Sequence, residues 1–186
     1  MTMRVRNRGN MTPEVPPIEP AELDLLAALI NRDSPNRAAL EVNAHVLAED
    51  FGCPINRAIY AARVACAADG ESGEALLLDR LRADGHLARD IDGRVGVRVA
   101  ELLTRRVDVL QARSLAVSLL DRAECRLIAS HAAMADQVGL MPPDERRDAM
   151  RAYWRAYGSL CDRLDAAKGR IGEPVSRPDL KMVVSA

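Results

Sequence analysis

From Arg80 to Arg106 the chain carries seven arginines (Arg80, Arg82, Arg89, Arg94, Arg98, Arg105 and Arg106) against four acids, Asp84, Asp90, Asp92 and Glu101. The segment therefore bears +3 within a chain whose formal net charge is −1. Arginine presents a planar fork of donors suited to phosphate and base edges. Such a cluster can read nucleic acid, or it can form a solvated face paired with its own acids. Only Lys168 and Lys181 are lysines, so nearly all basic chemistry here is guanidinium chemistry.

Other reactive residue types are scattered. His45, His86 and His131 lie far apart, each without the Asp, Cys or Glu spacing of a metal site or general base. Cys53, Cys66, Cys125 and Cys161 form no CxxC pair and read as buried thiols of a reducing, cytoplasmic compartment. GESGE at 70–74 lacks the lysine and the preceding strand of a phosphate loop, and no GxSxG occurs. Asp144 and Glu145 follow two prolines and suit the positive end of a helix dipole. The expectation is a non-catalytic protein without metal or cofactor.

The elements that position these residues are helical. Aromatic residues are only 3 % while hydrophobic residues reach 48 %, so Leu, Ala, Val and Ile must build the core, a composition that favours helix over sheet. Residues 1–20 contain Pro13, Pro16, Pro17 and Pro20 with Arg4, Arg6 and Arg8, and read as a disordered basic arm outside the packed fold. No apolar run approaches the ~20 residues that span a membrane, and the start lacks the apolar segment of a secretory signal.

Four short helices follow. The first spans about Ala21 to Asn31. The second runs from Pro35 to Phe51 with Ser34 as its cap, the third starts at Pro54, and the fourth covers Gly73 to Asp84 with Ser72 as its cap. Two runs, His86–Arg89 and Arg94–Val99, then flank the turn sequence DIDG. The alternation Arg94, Val95, Gly96, Val97, Arg98, Val99 predicts a strand, and an Asp-Gly turn between such runs predicts a hairpin. Long helix resumes from about Ala100 to Val138, and a final helix opens after Pro142-Pro143. The last helix carries the stripe Met150, Tyr153, Trp154, Tyr157, Leu160, Cys161 and Leu164. Its spacing predicts one buried face, within the core or at a dimer seam.

Helix, short turn, helix and two-stranded ribbon is the order of a winged helix-turn-helix. The stretch LLDRLRADGHLARDIDGRVGVRVAELLT resembles the recognition-helix-to-wing segment of the MarR family of bacterial regulators through Leu81, Gly85, Leu87, Arg89, Asp92, Arg94, Leu103 and Thr104. MPPDERRDAMRAYW resembles that family's Ser-Pro-Glu-Glu-Arg helix start, and the likeness covers roughly residues 72–165. It implies a mostly α, winged helix-turn-helix fold with a β-hairpin wing and a long C-terminal antiparallel helical hairpin. It also implies a homodimeric, DNA-binding transcriptional regulator that admits a small-molecule effector between its DNA-binding lobe and its dimer helices.

On that reading residues 1–20 are an arm, 21–99 the DNA-binding domain, 100–170 the dimerisation hairpin and 171–186 a tail. Arg94 at the wing tip touches duplex DNA, Arg89 and Arg98 touch phosphates, and Arg80, Arg82 and Ser72 complete the DNA surface. Met150, Tyr153, Trp154, Tyr157, Leu160 and Leu164 form the dimer interface. Helix four also carries Glu74 and Asp79, so it is not notably basic. The rival expectation is a non-catalytic helical adaptor that docks other proteins. The two part at Arg94, which a wing projects into solvent and an adaptor buries or pairs.

Overall fold

The computed structural model describes residues 19–31, 36–88 and 93–169. The expected arm at 1–20 lies almost wholly outside the described residues, as do Ser34, Pro35, Arg89, Asp92 and the tail at 171–186. Among the described residues there are seven α-helices and no strand. They are α1 (Pro20–Ile30), α2 (Asn36–Asn43), α3 (Pro54–Ala68), α4 (Glu74–Ala83), α5 (Arg94–Thr104), α6 (Ala112–Leu140) and α7 (Pro143–Lys168).

Proline opens three of them: Pro20, Pro54 and Pro143 take first-turn positions where a missing N–H leaves nothing unsatisfied. α1 is apolar around most of its circumference, with Leu23, Leu25, Leu26, Leu29 and Ile30 all buried. A helix of that kind belongs at the centre, and α1 packs against α3, α5 and α6. Arg63, buried on α3, donates from Nε to the Leu29 carbonyl at 2.8 Å and from Nη1 to Asn36 Oδ1 at 3.0 Å. It thereby satisfies a carbonyl of the last turn of α1, which has no donor within the helix.

Three expectations are corrected. The second helix does not continue to Phe51. It ends at Asn43, and a short 3-10 turn at Ala48–Asp50 carries the chain to buried Phe51. Asp50 makes that turn by accepting the Leu47 N–H at 2.7 Å. The long helix expected from Ala100 is interrupted at residues 105–111, where the Asp108 carboxylate accepts the Leu110 N–H at 2.9 Å.

The third correction concerns the wing. Arg94–Val99, expected as its second strand, lies within helix α5, and His86, Leu87 and Ala88 form a turn. Val95, Val99 and Leu102 recur at intervals of four and three and are all buried, whereas Val97 is 69 % exposed. Burial against α1 and α3 rewards the helical period, and the alternation of Val95, Val97 and Val99 is a subset of a sequence that satisfies both periods.

The antiparallel C-terminal hairpin is present as expected. α6 has 29 residues and α7 has 26, so each is about 40 Å long. α7 ends at Gly169 in the left-handed conformation (φ +80°), where a Cβ would stand 2.8 Å from Arg113 Nη2. Arg113 in turn donates from Nε to the Ala167 carbonyl at 2.9 Å, tying the end of α7 to the start of α6.

Candidate interaction surfaces

Of the arginines expected on a DNA surface, Arg80, Arg82 and Arg98 are held in ion pairs, and Arg89 lies outside the described residues. α3 and α4 pack together across a short turn, with Leu77 and Leu81 inward and Leu76, Asp79 and Arg82 outward. Arg80 reaches Asp69 at 3.0 Å and Asp84 at 3.8 Å, and Arg82 pairs with Asp79. Ser72 is exposed between the helices but does not cap α4; Gly73 takes the cap position and no side chain bonds there. Arg98 on α5 is largely covered and lies 3.4 Å from Glu101. Arg105 pairs with Asp24 of α1 and lies 3.9 Å from Glu101. Arg94 is exposed at the first residue of α5.

Sequence reasoning missed a polar junction at the root of the hairpin. Glu22 sits on α1 at 1 % exposure. Its Oε1 accepts the Gly52 N–H at 2.5 Å and its Oε2 accepts from Asn56 Nδ2 at 2.7 Å. Arg126 of α6 reaches Glu19 at 3.0 Å and donates to the Asp50 carbonyl. Arg163 of α7 grips the Asp50 carboxylate through both terminal nitrogens, one at 3.0 Å, and donates to the His45 carbonyl at 3.0 Å. A partly buried, bidentate pair of this kind holds a planar geometry firmly. Gly52 leaves room for the junction, since a Cβ there would meet Glu22 Oε1 at 3.2 Å.

One segment of the helical head, residues 45–52, thus receives an arginine from each arm of the hairpin. Tyr60 supports it from below, donating to the Val46 carbonyl at 3.0 Å with its ring 4.9 Å from that of Phe51. Burial, and then the charge of Asp50, hold the Tyr60 phenol well above its ordinary range, with Arg163 opposing. A cleft of about 430 Å³ opens beside the junction, floored by Ala123, Leu127, Ala156 and Leu160. The carboxylates of Glu19, Glu22 and Asp50 at its rim are each engaged by a guanidinium or an N–H donor, so the arrangement acts as a tie between head and hairpin.

The aromatic stripe of α7 faces α6. His131 stacks on Tyr153 with ring centroids 3.8 Å apart, and Tyr157 donates to Glu124 at 2.9 Å. That hydrogen bond is the main reason the Tyr157 phenol is held above its ordinary range. Leu160 and Leu164 are buried within the protomer, and Met150 and Tyr153 are half-buried. Of the stripe, Trp154 is the residue most open to solvent, at 42 %. Burial pushes the thiols of Cys66 and Cys161 up. The cysteines expected to be buried are not uniformly so: Cys66 is buried, Cys53 and Cys161 are intermediate and Cys125 is exposed.

The outer ends of the two arms differ in charge. α7 carries Arg147–Asp144 and Arg151–Asp148 pairs along its exposed side. α6 has no Asp, Glu, Lys or Arg between Arg126 and Asp136, although Ile128, Ala129, Ser130, Ala132, Ala133, Met134 and Ala135 are all exposed.

No family model, curated protein or solved structure matches the chain. Among the described residues no helix is long and apolar enough to cross a membrane, and no group of three or more His, Cys, Asp or Glu is placed to hold a metal ion.

Proposed function

We propose that this protein is a non-catalytic helical interaction protein, in which a helical head carries a projecting α6–α7 arm that docks onto another polypeptide. One observation carries the reading. The buried positions of α6 all fall between Ala112 and Ala123, and those of α7 between Leu160 and Ala167. Beyond Leu127 on α6 and before Ala156 on α7 the two helices stand clear of the core, yet α6 keeps an uncharged outer side there up to Asp136. An exposed helix without charges on its solvent side gains by being covered. The ion pairing of Arg80, Arg82 and Arg98 supports the same reading, because each guanidinium already has a carboxylate partner.

The test is a photo-activated cross-linking side chain at Ala132 on the arm and, separately, at Arg37 on the exposed side of the head, in full-length chain within its native cell. The expected result is a discrete adduct from position 132 and none from 37. No adduct from 132, or equal yields from both, overturns the reading.

A second reading is a duplex-DNA-binding, dimeric transcriptional regulator, ligand-responsive as the resemblance implies. It is favoured by the compact α3–turn–α4 unit, with Arg82 exposed on α4 and Arg94 exposed on α5. It makes a separate demand: binding to genomic duplex DNA that weakens steeply with salt and falls in Arg82→Ala and Arg94→Ala.

A further inference from the structure

We infer that the occupant of the outer face of α6 is a second copy of this chain, lying antiparallel with Ala129 of each copy at the two-fold axis. The inference rests on the docking reading above and names its partner. Ser118, Arg122, Cys125, Ala129, Ala132 and Asp136 follow one another at alternating intervals of four and three, and every one is exposed. That is the spacing of a seam between paired helices. Ile128 flanks it at 45 % exposure.

The charges at the ends of this seam choose the occupant and its direction. On this seam Arg122 stands at the root end and Asp136 at the tip end, about 21 Å apart along the axis, with the uncharged seam residues Cys125, Ala129 and Ala132 between them. Neither makes an ion pair or side-chain hydrogen bond among the described residues. In an antiparallel pair centred on Ala129, Arg122 of each copy lies opposite Asp136 of the other, and Cys125 lies opposite Ala133. A parallel pair would instead set arginine against arginine and aspartate against aspartate. The face is therefore complementary to itself in one direction only, which is what a two-fold interface requires. α7 offers no such face, because its exposed charges already alternate in sign and pair within the helix. The seam also differs from the aromatic stripe of α7, whose Tyr153 and Tyr157 are engaged with α6 of the same protomer.

The experiment uses full-length chain. Light scattering coupled to size exclusion should report a dimer, and Ala129→Cys in a Cys125→Ser background should form an intermolecular disulfide on mild oxidation. Ser159→Cys, on an exposed part of α7, should not. Arg122→Asp should raise the dimer dissociation constant about tenfold or more, since both end pairs become repulsive. Adding Asp136→Arg to it should restore most of that loss, a rescue that general misfolding would not give. A chain that stays monomeric up to roughly 100 μM, or a dimer indifferent to the charge changes and not linked through position 129, overturns the inference. If the chain is monomeric while the cross-linker at Ala132 captures a heavier, different polypeptide, the self-pairing fails and the docking reading stands. If neither occurs, both fail.

Discussion

The root and the tip of the α6–α7 hairpin are built from the same two helices yet are held in different ways. At the root, Leu119, Leu120, Leu160 and Leu164 are buried against the head, and Arg126 and Arg163 anchor to residues 45–52. At the tip, α6 and α7 meet chiefly each other, through pairs such as His131 on Tyr153, while most neighbouring positions remain exposed. Helix formation is thus no guide to burial along a helix. The root derives its stability from removing aliphatic surface from water, and the tip has a face left over for another molecule.

The largest expected effect comes from cutting the polar tie. Asp50→Ala leaves the partly buried Arg163 without its carboxylate and the Leu47 N–H without its acceptor, and should lower stability by about 3–5 kcal/mol in urea unfolding. A loss below about 1 kcal/mol would mean that the root is held by its leucines alone. Next, Leu120→Ala at the root should cost about 2–5 kcal/mol, as expected for a side chain fully removed from water. Met134→Ala at the half-open tip should cost under about 1 kcal/mol. Equal losses at the two sites would erase the distinction between root and tip.

Two tyrosines sharpen the comparison further. Tyr60→Phe strands the buried Val46 carbonyl and should cost about 1–3 kcal/mol. Tyr157→Phe removes a more exposed hydrogen bond and should cost about 0.5–1.5 kcal/mol or less. The pH dependence follows from the raised folded value of Tyr60. The native state keeps its phenolic proton where the unfolded chain, titrating near pH 10, has lost it. This contribution is complete below about pH 10 and is lost as pH rises toward the folded value. Unfolding compared at roughly pH 8 and pH 11 should show a decline that Tyr60→Phe makes shallower; an unchanged slope would show that other groups set it.

Much of the framework was legible. Pro54 and Pro143 announce helix starts because a fixed φ acts within one turn, Pro20 opens α1 although it reads as the end of the arm, and the final helix and its stripe followed from spacing alone. The arginines between Arg80 and Arg106 were legible only as a basic cluster. Whether Arg80 or Arg98 projected or paired depended on where Asp69 and Glu101 came to rest. The junction was not legible at all. Arg163 and Asp50 are 113 residues apart, and Arg63 and Leu29 are 34 apart, so no local pattern joins them. A lone Glu22 among the leucines of α1 was the one available signal.

By itself, then, the sequence determined that the chain is helical, where most of its helices begin, and that α6 carries an uncharged stretch bounded by Arg126 and Asp136. Those features arise from backbone restriction and side-chain type over a few residues. Tertiary structure decided that Arg94–Thr104 is a helix, because α1 and α3 bury Val95, Val99 and Leu102 on one side of it. It also decided which arginines tie the hairpin to the head, because charge pairing and burial depend on neighbours that only the packed chain brings together.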